Sequence, residues 1–100
     1  MYLYNTTFKV DLDAVIAFKL FLQEYLENNE KLSQYVYEHQ LYKLEGVDES
    51  DGLTFCLHFL IYDKETFNMF VVVIDSKLKN ELYQNFGEKV LFFSTLMVKQ

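Results

Sequence analysis

Residues 1–10 alternate. Tyr2, Tyr4, Thr6, Phe8 and Val10 fall on one face of an extended chain, and Leu3, Asn5, Thr7 and Lys9 fall on the other. A period of two predicts a strand with one apolar and one mixed face. The period then changes. From about Asp13 to Glu30, Ala14, Val15, Phe18, Phe21, Leu22, Tyr25 and Leu26 recur at helical spacing, with Lys19, Gln23, Glu24 and Glu27 opposite. Asp11 or Asp13 is placed to cap that helix. Ile16 and Leu20 interrupt its polar face, as ordinary surface hydrophobes or as a partner contact. Residues 32–37 follow neither period, and 37–45 read as a weakly alternating strand. Gly46 to Gly52 is an acidic hairpin loop whose charges are expected to be solvated. It lacks the ligand spacing, ending in a bidentate glutamate, that a calcium loop needs.

Leu53 to Tyr62 is the clearest strand. Leu53, Phe55, Leu57, Phe59 and Ile61 form a wholly apolar face, against Thr54, Cys56, His58, Leu60 and Tyr62. Asp63 is a helix cap, and Phe67, Phe70, Val71, Ile74, Leu78 and Leu82 mark a helix to about Phe86, closed by Gly87. Within it, residues 69–74 carry strand propensity. The flanking helix formers, and the regular element order that results, favour helix. Met69, Val72 and Val73 then lie off the main face. Lys89 to Lys99 is the last strand, and both of its faces are apolar.

The order is strand, helix, strand, strand, helix, strand, with little left over. It predicts one α+β domain over residues 1–100, a split β-α-β arrangement with an antiparallel four-stranded sheet and two helices on one face. The helices are expected to cover Tyr4, Phe55 and Phe59. The other face, assigned Leu60, Cys56, His58, Phe92 and Leu96, is too apolar to stay wet on a monomer. A second copy, sheet against sheet, would cover it and make a dimeric α+β barrel with a cavity between the sheets.

Composition narrows the function classes. The 100 residues are 51% hydrophobic with net charge −6, which suits a globular core and suits nucleic acid poorly. All nine basic residues are lysines, so the bidentate fork that reads phosphates is missing. An anionic membrane surface is disfavoured for the same reason. Cys56 is the one cysteine, which excludes an intrachain disulfide. No signal-peptide core or membrane-length apolar run stands out, so a cytoplasmic protein is expected.

No motif names a reaction. Cys56 and His58 share a strand face, but neighbours at i and i+2 are roughly 6–7 Å apart, too far for direct activation of the thiol. Two histidines and one cysteine do not complete a metal site, so no metal or cofactor is expected. The candidate ligand-binding residues are Asn5, Thr7, Cys56, His58 and Ser94, the few polar groups of an otherwise apolar cavity. They could equally hydrogen-bond one another across the dimer. The function expected is therefore binding of a small apolar or aromatic ligand between the sheets, or service as an interaction module. The alternatives are a cofactor-independent monooxygenase or isomerase with His58 as acid/base, and a subunit of a larger assembly using Ile16, Leu20, Val72 and Val73.

Three stretches carry a family resemblance. Met1-Tyr-Leu-Tyr-Asn-Thr-Thr7, Gly52-Leu-Thr-Phe-Cys-Leu-His-Phe59 and Gly87-Glu-Lys-Val-Leu-Phe-Phe-Ser-Thr-Leu96 resemble the first, third and last strands of the small bacterial family DUF4286. The spacing from Phe67 to Gly87 fits its second helix. The resemblance implies a ferredoxin-like, dimeric α+β barrel fold and no established activity. This chain lacks the tryptophan and proline usual in the family's first-helix region. It also has Ser94 where an arginine is common.

Overall fold

The computed structural model describes residues 1–100. Strand β1 (Tyr2–Val10) leads through a short 3-10 turn, Leu12–Ala14, into helix α1 (Val15–Asn28). Strands β2 (Glu38–Lys43) and β3 (Leu53–Ile61) form the hairpin, and β4 (Val90–Val98) ends the fold. The second helical segment has three parts: α2 (Lys64–Phe70), a π turn (Val71–Asp75) and α3 (Ser76–Phe86). The sheet order is β2-β3-β1-β4, and every neighbouring pair is antiparallel. This is the ferredoxin-like βαββαβ fold expected from the element order. β1 and β3 are its central strands.

The helices cover one face because their apolar stripes match it. Phe18 and Leu22 of α1, with Phe67, Phe70, Ile74, Leu78 and Leu82, are buried against Phe8, Val10, Phe55, Leu57, Phe59 and Ile61. Burying each such side chain contributes about 1.5–3 kcal/mol. Aromatic rings lock the layers together: Phe8 meets Phe18, and Phe59 meets Phe70, each with centroids 5.1 Å apart. Leu32 and Val36 plug the core from the α1–β2 connection.

The strand-like residues 69–74 are helical, as the flanking residues predicted, because Phe70 and Ile74 reach the core from a helix. Tertiary burial overrides β propensity there. The segment is wound as a π turn, and side chains bind its carbonyls. Ser76 Oγ donates to the Val72 carbonyl at 2.9 Å, and Tyr25 Oη donates to the Ile74 carbonyl at 3.2 Å. Asp63 caps α2 as expected, accepting from the Thr66 amide at 2.7 Å. Gly87 ends α3 with φ 56°, which favours glycine. The hairpin uses Gly52 differently: a Cβ there would lie 2.6 Å from the Val10 carbonyl oxygen.

Two expectations need correction. Neither Asp11 nor Asp13 caps α1: its N-terminus is entered from the 3-10 turn with no side-chain bond, and Asp13 instead pairs with Lys89 at 2.9 Å. Phe92, Ser94 and Leu96 do not belong to the open sheet face. β4 pairs with β1 as Phe8↔Phe92, Thr6↔Ser94 and Tyr4↔Leu96. Directly paired residues share a face, so these three lie on the helix side with Tyr4, Thr6 and Phe8. The open face takes Leu91, Phe93, Thr95 and Met97 from β4.

Candidate functional site

The uncovered sheet face is divided. On its β4 side, Leu91, Phe93 and Met97 are 58%, 63% and 43% exposed. With Thr95 they make a strip without a charged side chain. The β2 side presents Glu38, Gln40 and Tyr42. Between them lie the candidate residues of the two central strands. The register sets Asn5 opposite His58 and Thr7 opposite Cys56, so four of the five candidates come together. The fifth, Ser94, faces the helices, where its hydroxyl and that of Thr6 are 2.8 Å apart.

Three of the four form a loose network. Asn5 Nδ2 donates to Thr7 Oγ1 at 3.0 Å, and Thr7 Oγ1 lies 3.8 Å from Cys56 Sγ. The His58 ring packs on Tyr42 with centroids 5.2 Å apart. The other amide atom of Asn5, Oδ1, is buried and has no hydrogen-bond partner. A buried acceptor left unpaired costs about 1–3 kcal/mol, so this central position is incomplete in the single chain. Beside it, a groove of about 270 Å³ is lined by Leu3, Glu38, His39, Gln40, Tyr42, His58 and Leu60. An apolar hollow of about 360 Å³, lined by Met1, Tyr2, Leu3, Leu60, Met97, Val98 and Lys99, adjoins it through Leu3 and Leu60. A larger depression of about 410 Å³ lies at the end of α1 among Tyr25, Asn28, Asn29, Glu30 and Lys31, away from the sheet.

Sequence reasoning missed a second polar cluster, under the helices. Tyr4 Oη donates to Asp75 Oδ2 at 2.7 Å, and Lys79 Nζ donates to Tyr4 Oη at 2.7 Å. Lys79 also pairs with the same Asp75 oxygen at 2.9 Å. Asp75, only 3% exposed, is the most deeply buried charge and closes the π turn. Burial pulls the Lys79 ammonium down, but its bonds to Tyr4 and Asp75 and the Asp75 charge outweigh that and hold it above the ordinary lysine value. The signal was present in the sequence as an aspartate at the end of an apolar run with a lysine four residues on. Chemically the triad is closed: the hydroxyl, carboxylate and ammonium satisfy one another. No three of the chain's His, Cys, Asp and Glu side chains gather as a metal site.

The outer helix surface carries isolated exposed apolar residues. Ile16, Leu20 and Val72 are exposed, whereas Val73 packs partly against the core. No helix is long and apolar enough to cross a membrane.

Comparison with known proteins agrees with this architecture. The chain belongs to DUF4286, a domain of unknown function, whose family match spans residues 1–100. No curated protein matches its sequence. Among solved structures it is similar to a dimeric ferredoxin-like protein from an uncultured marine organism, at TM-score 0.73 and 11% identity, covering 98% of this chain and 94% of that one. It is similar to SnoaB, a cofactor-independent oxygenase from Streptomyces nogalater, at TM-score 0.61 and 9% identity, covering 99% and 93%. It is also similar to the de novo designed protein Foldit4, at TM-score 0.67 and 14% identity, covering 99% and 98%. An oxygenase and a designed chain on one backbone show that this fold does not by itself specify an activity.

Proposed function

We propose that the chain works as a homodimer, with two open sheet faces packed together and a small apolar or aromatic ligand held between them. The observation that carries this reading is the buried Asn5 Oδ1 without a partner, beside an exposed apolar strip. The pair calls for a cover that excludes water and brings a donor. A second copy suits the strip on electrostatic grounds. Each chain has net charge −6, so two copies repel at most approaches. The strip of Leu91, Phe93, Thr95 and Met97 is neutral, and identical apolar surfaces can meet there across a two-fold axis. The polar β2 sides then flank the contact, and the groove and hollow become the space between the sheets.

Catalysis with His58 as acid/base is the competing reading. It has less support, because the ring packs on Tyr42 without the hydrogen-bonded carboxylate that orients a general base. Sedimentation velocity combined with native mass spectrometry tests the proposal. A dimer carrying extra mass is the expected result. A dimer without added mass leaves the interaction-module role. A monomer at roughly micromolar concentration defeats the sheet-to-sheet contact.

A further inference from the structure

Where β3 ends and the chain turns into α2, two tyrosine rings stand together in the open. Tyr37 and Tyr62 are 58% and 60% exposed, with ring centroids 5.2 Å apart and planes tilted by 59°. Exposed apolar residues scattered singly are ordinary, but these two touch. They border a hollow of about 300 Å³, which Tyr35 and the buried Val36 also line. Ser33, Gln34, Asp63 and Thr66 bring hydroxyl, amide and carboxylate groups to it. Asp63 spends Oδ1 on the α2 cap, which leaves Oδ2 as an acceptor. The backbone of the walls is tied down: the Tyr37 amide donates to the Leu60 carbonyl at 2.8 Å, and the Val36 amide to the Leu32 carbonyl at 2.9 Å. A ligand would therefore order little backbone on binding. The hollow shares no lining residue with the groove or the apolar hollow of the open face.

We infer that this hollow is a second binding site, for a neutral sugar ring. A pyranose is apolar where its C–H bonds gather on one face and polar around its rim. The tyrosine faces suit the first part. The rim hydroxyls both donate and accept, as do the Ser33 and Thr66 hydroxyls and the Gln34 amide, and the Asp63 carboxylate accepts. A wholly apolar ligand would displace water from these groups without replacing its hydrogen bonds. Anions are disfavoured, because no lysine lines the hollow and the chain's net charge is −6. Asp63 is the one charge in the lining, and its carboxyl is held below the ordinary aspartate range, chiefly by the bond from the Thr66 amide and least by the Met1 amino group. That carboxylate already has positive charge near it, so the lining favours no net charge in its ligand. The inference does not depend on the dimer proposed above.

The test titrates the isotope-labelled full chain with the methyl glycosides of glucose, galactose, mannose and N-acetylglucosamine, and reads amide shifts by NMR. At least one glycoside should shift the amides of residues 33–37 and 62–66, with a dissociation constant in the millimolar range. Tyr62→Ala should weaken that binding at least about tenfold. Tyr62→Phe keeps the ring face and should hold it within about threefold. Tyr62 is exposed, so both variants should fold. No shift with any glycoside overturns the inference. Shifts confined to the open sheet face overturn it, and so does undiminished binding by Tyr62→Ala. Tetramethylammonium is the control. If it shifts the same amides and the glycosides do not, the hollow is a cation site and the sugar is overturned. A chain that sediments as a monomer and still binds a glycoside upholds this site and sinks only the sheet-to-sheet contact.

Discussion

Strand β1 sends polar groups to both sides of the sheet, and the two sides treat them differently. Under the helices, the Tyr4 hydroxyl is bound by Asp75 and Lys79, and the Thr6 hydroxyl pairs with that of Ser94. On the open side, Asn5 satisfies one amide atom through Thr7 and leaves Oδ1 buried without a partner. Adjacent residues of one strand thus sit in a finished and an unfinished environment. The contrast teaches where this molecule expects company. Buried polar groups are normally paired within the fold, and here the helix side obeys that rule while the sheet side does not.

The sharpest way to break the comparison is to unbalance the finished side. Lys79→Met leaves the Asp75 carboxylate buried with only the Tyr4 hydroxyl to support it. Removing one partner of a buried ion pair costs about 3–5 kcal/mol. The double variant Asp75→Asn with Lys79→Met removes both charges and should recover most of that loss, because a buried pair adds little net stability. Urea unfolding of the two variants checks this. A single variant that costs less than about 1 kcal/mol, the ordinary value of one hydrogen bond, would show that the triad is not a tie between sheet and helices.

The matching change on the unfinished side is Phe93→Glu. Phe93 is 63% exposed in the single chain, so the monomer should lose little, within about 0.5 kcal/mol. The dimer should lose much more, because the change places two new carboxylates in an apolar contact. We expect the dissociation constant to rise by at least about a hundredfold, near 2.7 kcal/mol. Sedimentation equilibrium across a dilution series measures this directly. A Phe93→Glu variant that dimerises as well as the parent chain would move the interface off β4.

Alkaline titration separates the sides more gently. The Lys79 ammonium is held above its ordinary value of 10.5 by Tyr4 and Asp75, despite the opposing effect of burial. A group with a raised folded-state value binds its proton more firmly in the native state, so its contribution is fully present below the unfolded value. It is lost as pH rises through the folded one. Stability should therefore fall above about pH 10.5, and the Asp75→Asn/Lys79→Met pair should flatten that fall. An unchanged alkaline slope in the pair would place the sensitivity in other lysines or tyrosines.

Much of the fold was legible because local signals agreed with one another. Asp63 caps, Gly87 closes, and the alternation of β1 and β3 assigned their faces. The side taken by Ser94 was not legible. β4 is apolar at both parities, so polarity could not choose, and only its pairing with β1 puts Phe92, Ser94 and Leu96 under the helices. The cap at α1 failed because Asp13 has a better partner in Lys89, 76 residues away. The Tyr4 triad is hidden for the same reason: 71 residues separate Tyr4 from Asp75. Asn5, Thr7, Cys56 and His58 could be grouped in advance because β1 and β3 alternate cleanly, and alternation determines faces even when it leaves partners open.

The smallest expected effect is also the most discriminating, because its sign differs between the two sides. Thr6→Val removes the Thr6–Ser94 hydrogen bond from a nearly dry environment and should cost about 1 kcal/mol. Asn5→Leu removes a buried acceptor that the single chain does not satisfy. It also loses the amide bond to Thr7, so the two changes nearly offset, and monomer stability should hold or rise by up to about 1 kcal/mol. If a covering copy or ligand brings the missing donor, Asn5→Leu must then weaken the dimer or its ligand even though the monomer is no less stable. Unfolding and association are therefore measured on the same Asn5→Leu sample. A variant whose monomer is stabilised and whose dimer is weakened marks Asn5 as an interface or ligand contact. A variant that loses monomer stability as Thr6→Val does would mean that Asn5 already had its partners, and that the open side was finished after all.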